Sequence, residues 1–133
     1  MKGEKKKVLI VDDEPDAVDF LSNWLEDNGY AFCAASDGEQ GMRVIMQEYP
    51  DLVLMDLRMP RHTGFQLYRE LRSKKHLKRI PVFFVTGLTA SQIFGDGCDP
   101  LPEPEAFIEK PIDLKALREA IERVLSPDYE PLS

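Results

Sequence analysis

The segment Lys6–Asp16 reads KKVLIVDDEPD and joins four apolar residues to three consecutive acids. The apolar run, Val8–Val11, has the length and composition of a buried β-strand. Asp12, Asp13 and Glu14 then place negative charge where this strand ends. Two carboxylates about 4 Å apart repel each other by roughly 4 kcal/mol at an effective dielectric constant of about 20. The stretch therefore indicates a strand that ends at a site where something must offset the repulsion.

Length and composition limit the fold and the partners. The chain has 133 residues, 43% of them hydrophobic, so we expect one domain with a real core. The formal net charge of −7 argues against direct nucleic-acid binding, which needs clustered Lys and Arg. No apolar run is long enough for a membrane span or a secretory signal. Cys33 and Cys98 match no metal or redox spacing, which favours reduced thiols and a cytoplasmic location.

Strand-like runs alternate with helix-like segments along the chain. The expected strands are near-continuous apolar runs: Val8–Val11, Tyr30–Ala35, Asp51–Met55, Pro81–Val85 and Ala106–Glu109. Between them lie amphipathic segments with helical spacing, and Asp113 is placed to cap the last one. Such alternation predicts an α/β fold, in which a five-stranded parallel sheet carries helices on both faces. We expect the doubly wound, flavodoxin-like strand order 2-1-3-4-5.

The segment between the fourth and fifth strands departs from this pattern. Only Thr89–Phe94 has the composition of a helix, because glycines and prolines crowd the following Gly95–Glu105. We therefore expect a fourth helix that is short or irregular, followed by a long acidic loop. This loop gives partner specificity, or is mobile and ordered by a partner, or is a tolerated surface insertion.

Polar residues follow four of the expected strands. Asp12 and Asp13 follow the first strand, Asp56 the third, Thr86 the fourth and Lys110 the fifth. Because the carboxyl ends of parallel strands share one edge, we expect these groups to meet in a shallow pocket. Each residue also has an ordinary interpretation: a helix cap for Asp13, a turn for Asp56, a strand end for Thr86 and a surface position for Lys110.

The chemistry of these groups indicates phosphoryl transfer. Carboxylate oxygens favour Mg²⁺, and a carboxylate can also act as a nucleophile that forms an aspartyl phosphate. The metal would neutralise the acids, Lys110 would pair with a phosphoryl oxygen and Thr86 would donate a hydrogen bond. His62 and His76 fall in loop-like or helix-end stretches, so we expect no base that turns over a separate substrate.

Four motifs in their order and spacing resemble the receiver domain of bacterial two-component response regulators. They are VLIVDDEP, LVLMDLRMPRHTGF, VFFVTG and AFIEKP, and the resemblance runs from about Lys6 to Leu125. It implies a receiver domain over residues 1–126 and a C-terminal tail or linker over 127–133. It also implies a switch, rather than an enzyme, that is phosphorylated by a sensor histidine kinase or phosphotransfer protein. The output partner or output domain is unknown, and a homodimer stays open.

The resemblance assigns roles to the acidic residues. Asp56 is the implied phosphoacceptor. Asp13 and Asp56 are the implied direct Mg²⁺ ligands, with Asp12 acting largely through water and the backbone carbonyl of Arg58 as a further ligand.

The resemblance also implies a switch. Thr86 and Lys110 match its switch hydroxyl and phosphate-binding lysine, and a cis peptide is expected between Lys110 and Pro111. Phe107 stands where the family has its switch aromatic residue, although a plain core phenylalanine is an equal alternative. Arg58 and Leu88 occupy positions that border the phosphoryl group and tune its lifetime.

Two other functions stay open. A phosphatase of the haloacid dehalogenase type also uses an aspartyl phosphate, but places its nucleophile after the first strand in an Asp-x-Asp pattern, where this chain has Asp-Asp-Glu. A receiver-like binding module that takes no phosphoryl group is the second alternative, and the full set of polar residues argues against it. The resemblance also leaves one mismatch, since Glu103-Pro104 replaces the usual Gly-Ala pair before the fifth strand.

Overall fold

Strands and helices alternate along the computed structural model, which describes residues 5–59, 64–94 and 101–129. Within these ranges the elements are β1 (Lys7–Val11), α1 (Pro15–Asp27), β2 (Ala31–Ala35), α2 (Gly38–Glu48), β3 (Leu52–Met55), α3 (Gly64–Ser73), β4 (Val82–Thr86), α4 (Ala90–Phe94), β5 (Ala106–Glu109) and α5 (Leu114–Val124). None of the helices in the described ranges has the length and apolar character needed to cross a membrane.

The strands form one parallel sheet in the order β2-β1-β3-β4-β5. This confirms the predicted α/β, flavodoxin-like order. The register aligns the carboxyl ends of neighbouring strands, since Val11 lies opposite Met55 and Thr86 opposite Glu109. The residues that follow β1, β3, β4 and β5 therefore emerge at the same edge of the sheet.

Both faces of the sheet are covered, which explains why its strands are continuous apolar runs. Because side chains alternate along a strand, β1 sends Leu9 and Val11 to one face, and Val8 and Ile10 to the other. The first face packs against α2, α3 and α4, and the second against α1 and α5. After α5 the chain turns, and Tyr129 packs against this second core.

Helix ends agree with the sequence at some positions and differ at others. Asp113 caps α5, because its carboxylate accepts hydrogen bonds from the amides of Lys115 and Ala116. At α1 the N-cap residue is Glu14, whose side chain makes no capping bond. The interpretation of Asp13 as the cap of α1 is therefore wrong, and the amide of Glu14 donates to the carboxylate of Asp12 instead.

The fourth helix has five residues, which confirms that it is short. The first part of the predicted loop, residues 95–100, lies outside the described residues. Its second part is fixed to the protein body: Leu101 packs against the first core, Tyr68 bonds to Pro102, and Glu105 pairs with Arg72. The predicted mobility of the loop therefore does not apply to residues 101–105.

Candidate functional site

Four predicted residues meet at the carboxyl edge of the sheet: Asp12, Asp56, Thr86 and Lys110. Backbone pairing between strands positions them, because the Asp56 amide donates to Val11 O at 2.9 Å and the Lys110 amide to Thr86 O at 2.8 Å. Asp12, Asp56 and Thr86 are only 3%, 6% and 0% exposed. Polar side chains at this depth need hydrogen-bond partners, and here they supply them to one another.

The carboxylate of Asp56 is held by bonds to both oxygens. Its Oδ1 accepts from the Thr86 hydroxyl and from the Arg58 amide, each at 2.9 Å. Its Oδ2 accepts from the Lys110 ammonium at 3.1 Å. The group is therefore fixed in orientation before any ligand arrives, which is the arrangement that an oriented nucleophile requires.

Lys110 is shared between two buried acids. Its Nζ lies 3.0 Å from Asp12 Oδ2 and 3.1 Å from Asp56 Oδ2, with Glu14 Oε1 further away at 3.8 Å. Burial lowers the pKa of this ammonium, but its bonds to Asp12 and Asp56 outweigh burial, so the net shift is upward. Lys110 thus stays charged at neutral pH.

The charged form of Asp12 remains unfavourable although Lys110 pairs with it. Burial raises the pKa of its carboxyl group, and the bonds from the Glu14 amide and from Lys110 only partly offset it. The charge of Asp56 acts in the same direction as burial. An added cation at this edge would therefore be favoured, which answers the question raised by the acids after β1.

The other predicted residues lie around this group. Asp13 is exposed, and among the described residues it makes no hydrogen bond or ion pair. Arg58 is exposed, with a guanidinium nitrogen 4.0 Å from where a Cβ on Gly87 would lie. Leu88 is half-buried against the first core, and its amide approaches the Thr86 hydroxyl at 3.3 Å. Phe107 is half-buried against the same core. The expected peptide between Lys110 and Pro111 is cis.

Two residues at this edge were not predicted from the sequence to contribute to the site. A Cβ on Gly64 would lie 2.5 Å from the Asp56 carbonyl oxygen and 2.8 Å from Leu57 Cα, so any side chain there would displace the backbone of Asp56. The sequence signal for this close contact is the glycine near the end of the motif that follows Asp56. The second residue is Glu14, whose backbone amide orients Asp12 and whose carboxylate lies 3.8 Å from the Lys110 ammonium.

The donor set fits a magnesium ion of the usual kind. No cluster of three or more His, Cys, Asp or Glu side chains suited to a metal occurs within the described part of the chain. Mg²⁺ needs no such cluster, because it typically binds one or two carboxylates and fills its octahedron with water and phosphate oxygens. The buried Asp12 and Asp56, the exposed Asp13 beside them and the backbone at Arg58 offer such hard oxygen donors.

Comparison with known proteins identifies the family. The family model described as "Response regulator receiver domain" matches residues 8–122. Protein PilH of Pseudomonas aeruginosa is 35% identical over 120 residues, which are 90% of this chain and 98% of PilH. Other relatives are longer, and the chain spans only 49% of the length of two curated relatives that are 33% identical. The match therefore concerns the receiver region, and not whatever else the longer proteins carry.

Solved structures agree with this assignment. The signal receiver domain of a signal transduction histidine kinase from Syntrophus aciditrophicus has 28% identity and a TM-score of 0.81, over 96% of this chain and 97% of that one. The receiver domain of a sensor histidine kinase from Pseudomonas aeruginosa, with a magnesium ion coordinated in its active-site cleft, shares the fold at 24% identity and a TM-score of 0.77, over 90% and 97% of the two chains. The chain belongs to the response regulator receiver domain family of two-component signalling.

Proposed function

We propose that this receiver is switched by phosphorylation of Asp56, with a sensor histidine kinase or a phosphotransfer protein as donor. The observation that carries the proposal is the Asp56 carboxylate, which is 6% exposed and bonded by Thr86, Arg58 and Lys110. In the transfer, a carboxylate oxygen of Asp56 bonds to the phosphorus of a phosphohistidine. The P–N bond breaks, and the imidazole leaves with the electron pair and takes up a proton.

Three groups of the chain would act on the transferred phosphoryl group. The Lys110 ammonium, already 3.1 Å from Oδ2 of Asp56, would pair with a phosphoryl oxygen. The Thr86 hydroxyl would exchange its bond to Oδ1 for a bond to phosphate. The Arg58 amide would keep the carboxylate oriented. These interactions place positive charge and hydrogen-bond donors where negative charge develops.

We assign the magnesium site to Asp13 and Asp56 as direct ligands, with Asp12 acting through water and the Arg58 carbonyl as a further ligand. When bound, the ion would neutralise the acids and the incoming phosphoryl group. The buried carboxylates and the raised pKa of Asp12 support this assignment. Calorimetric Mg²⁺ titration tests it: affinity should fall strongly in Asp13→Ala and much less in Glu14→Ala. Equal affinities in the two variants would refute the assignment.

Phosphorylation would act as a switch and not as one step of an enzyme cycle. Phosphorylation converts the carboxylate, with one negative charge, into an acyl phosphate with nearly two. The change of about one unit of charge would shift an existing equilibrium between inactive and active states. Thr86 and Phe107 are the proposed switch residues, and the domain assists its own phosphorylation and dephosphorylation without another substrate. The proposed receiver domain covers residues 1–126. It acts in the cytoplasm on an output partner or output domain, and it binds neither nucleic acid nor membrane directly.

The test is mass measurement after incubation with a small phosphodonor and Mg²⁺. Wild type should gain one phosphoryl group, and Asp56→Asn should gain none. Asp19→Asn, which alters an exposed acid of α1, is the matched control and should behave like wild type. A wild-type protein that gains nothing, or an Asp56→Asn variant that gains as much as wild type, would overturn the proposal.

A further inference from the structure

A tyrosine of α3 is bonded to the segment that precedes β5. Tyr68 is fully buried, and its hydroxyl donates a 2.7 Å hydrogen bond to the carbonyl oxygen of Pro102. Its ring meets Phe84 of β4 edge to face, with centroids 4.7 Å apart at an interplanar angle of 77°. One side chain therefore contacts the centre of β4 and the irregular segment after α4.

Arg72 fastens the same segment one helical turn later. Its guanidinium lies 5.0 Å from the centroid of the Tyr68 ring and donates to Glu105 Oε1 at 2.7 Å. The side chains of Arg72 and Glu105 are only 13% and 8% exposed, and Glu105 also accepts the amide of Val82, where β4 begins. Residues 101–105 are thus held on α3 at two points. We refer to Tyr68, Arg72, Pro102 and Glu105 as the α3 clamp.

A continuous set of contacts leads from the clamp to the carboxylates. Phe84 and Thr86 lie two positions apart on β4 and so face the same side of the sheet. Phe84 also stacks on Phe94 of α4 at 6.3 Å and lies opposite Phe107 of β5. The Thr86 hydroxyl in turn donates a hydrogen bond to the Asp56 carboxylate. A displacement of the end of β4 would therefore move Phe84 against the Tyr68 ring.

The position of the hydroxyl matters because Phe107 has none. A movement of Phe107 changes packing alone, whereas a movement of Tyr68 also breaks or keeps the hydrogen bond to Pro102. Because Tyr68 is fully buried, its hydroxyl would be left without an acceptor when the bond breaks, which costs free energy, so the bond has two states of clearly different free energy. Packed interiors of this kind respond by discrete rearrangement and not by gradual deformation.

We propose that Tyr68 is the conformational relay between Asp56 and the segment 101–105, a proposal that rests on the proposed function. A phosphoryl group on Asp56 draws the Thr86 hydroxyl from Oδ1, and the end of β4 follows. Phe84 then shifts against the Tyr68 ring, and the hydroxyl leaves Pro102. The segment before β5 loosens, so the α3 side of the domain, and not β5 alone, reports the phosphorylation state.

Hydrogen exchange with and without a small phosphodonor and Mg²⁺ tests the relay. The probe is the amide of Glu105, which donates to the carbonyl oxygen of Val82 at 3.0 Å, and phosphoryl gain is measured by mass on the same samples. In wild type, phosphorylation should raise exchange at this amide by about 2- to 10-fold, the effect of losing one hydrogen bond. Tyr68→Phe should show that increase before phosphorylation and no further rise afterwards, with an unchanged phosphoryl gain.

Tyr30→Phe is the matched control. Tyr30 is half-buried on the opposite face of the sheet, and its hydroxyl has no hydrogen-bond partner in the described part of the chain. This variant should respond like wild type. A wild type that gains the phosphoryl group without a change in exchange would overturn the relay alone, as would a Tyr68→Phe variant that responds like wild type. A wild type that gains no phosphoryl group would overturn the proposed function and the relay with it.

Discussion

The ammonium nitrogen of Lys110 lies 3.0 Å from Oδ2 of Asp12, although the two residues stand 98 positions apart in the chain. This contact does not fully compensate Asp12, because burial still holds the pKa of its carboxyl group above the ordinary value. The folded protein therefore carries a charge that costs stability at neutral pH. A cation bound at this edge would offset that cost, in agreement with the proposed magnesium site.

Asp12→Asn should stabilise the fold while weakening the metal site. A neutral amide of the same shape avoids the desolvation of a carboxylate and the repulsion from Asp56, which together outweigh the attraction of Lys110, so the free energy of unfolding should rise. Affinity for Mg²⁺ should fall by about 10- to 100-fold, as for other residues that orient a metal through water. Thermal unfolding and calorimetric titration measure the two effects, with Asp19→Asn as a control that changes neither. A destabilised Asp12→Asn protein would contradict the prediction.

The stability gain of Asp12→Asn should depend on pH. The pKa of Asp12 is raised in the folded state from 3.8, so the native protein binds the proton more tightly than the unfolded chain. Stability contributed by this group is present below the unfolded pKa and is lost as pH rises through the folded pKa. The difference between Asp12→Asn and wild type should therefore be near zero below about pH 3.8 and grow towards neutral pH. Denaturant unfolding across this range checks it, and a pH-independent difference would contradict it.

The sequence was sufficient for the fold and for the centre of the site. Apolar runs such as Val8–Val11 are determined by burial on both faces, and the alternation with helices leaves few topologies. The meeting of Asp56, Thr86 and Lys110 then follows from the shared carboxyl edge of parallel strands. These are regularities of backbone geometry, and they hold whatever the details of side-chain packing.

Features that depend on side-chain packing were not predictable in this way. Helical spacing places Tyr68 inward, but nothing in the sequence names Pro102 as the acceptor of its hydroxyl across 34 positions. The close approach of Gly64 to the Asp56 backbone likewise depends on how α3 docks. Asp12 and Asp13 look equivalent in the sequence, yet one is buried and the other exposed, because neighbouring side chains leave a strand end in different directions.

The lifetime of phosphorylated Asp56 should depend on Arg58 and Leu88. Both lie beside the bonded carboxylate, through the Arg58 amide on Oδ1 and the Leu88 amide near the Thr86 hydroxyl. A long cationic and an apolar side chain would hinder the hydrolytic water. Arg58→Ala and Leu88→Ala should therefore speed dephosphorylation by roughly 2- to 10-fold, at most about 1.4 kcal/mol of barrier. Loss of the phosphoryl mass over time measures the rate, and Arg69→Ala, at an exposed position of α3, is the control. Unchanged rates in both variants would refute this role.

Gly64→Ala should destabilise the protein and disturb Asp56. The added Cβ would lie 2.5 Å from the Asp56 carbonyl oxygen, so α3 and the backbone after β3 must separate. Overpacking of this kind typically costs about 1–3 kcal/mol. Gly87→Ala is the control, because a Cβ there has its nearest neighbour at 4.0 Å, on Arg58. Chemical denaturation of both variants distinguishes the cases, and equal stability would show that the approach at Gly64 is readily relieved.

Glu105→Gln should destabilise the protein by about 3–5 kcal/mol, because it leaves the largely buried guanidinium of Arg72 without its counter-charge. The glutamine oxygen can still accept a hydrogen bond from the Val82 amide. The loss of stability therefore measures the charge pair with Arg72 and not the contact with β4. Glu48→Gln is the matched control, since it removes an ion pair to Lys7 whose side chains are 42% and 36% exposed. Pairs at that exposure contribute about 0–1 kcal/mol. Urea unfolding measures both variants, and an equal loss in the two would mean that the pair of Arg72 and Glu105 does not anchor residues 101–105 to α3.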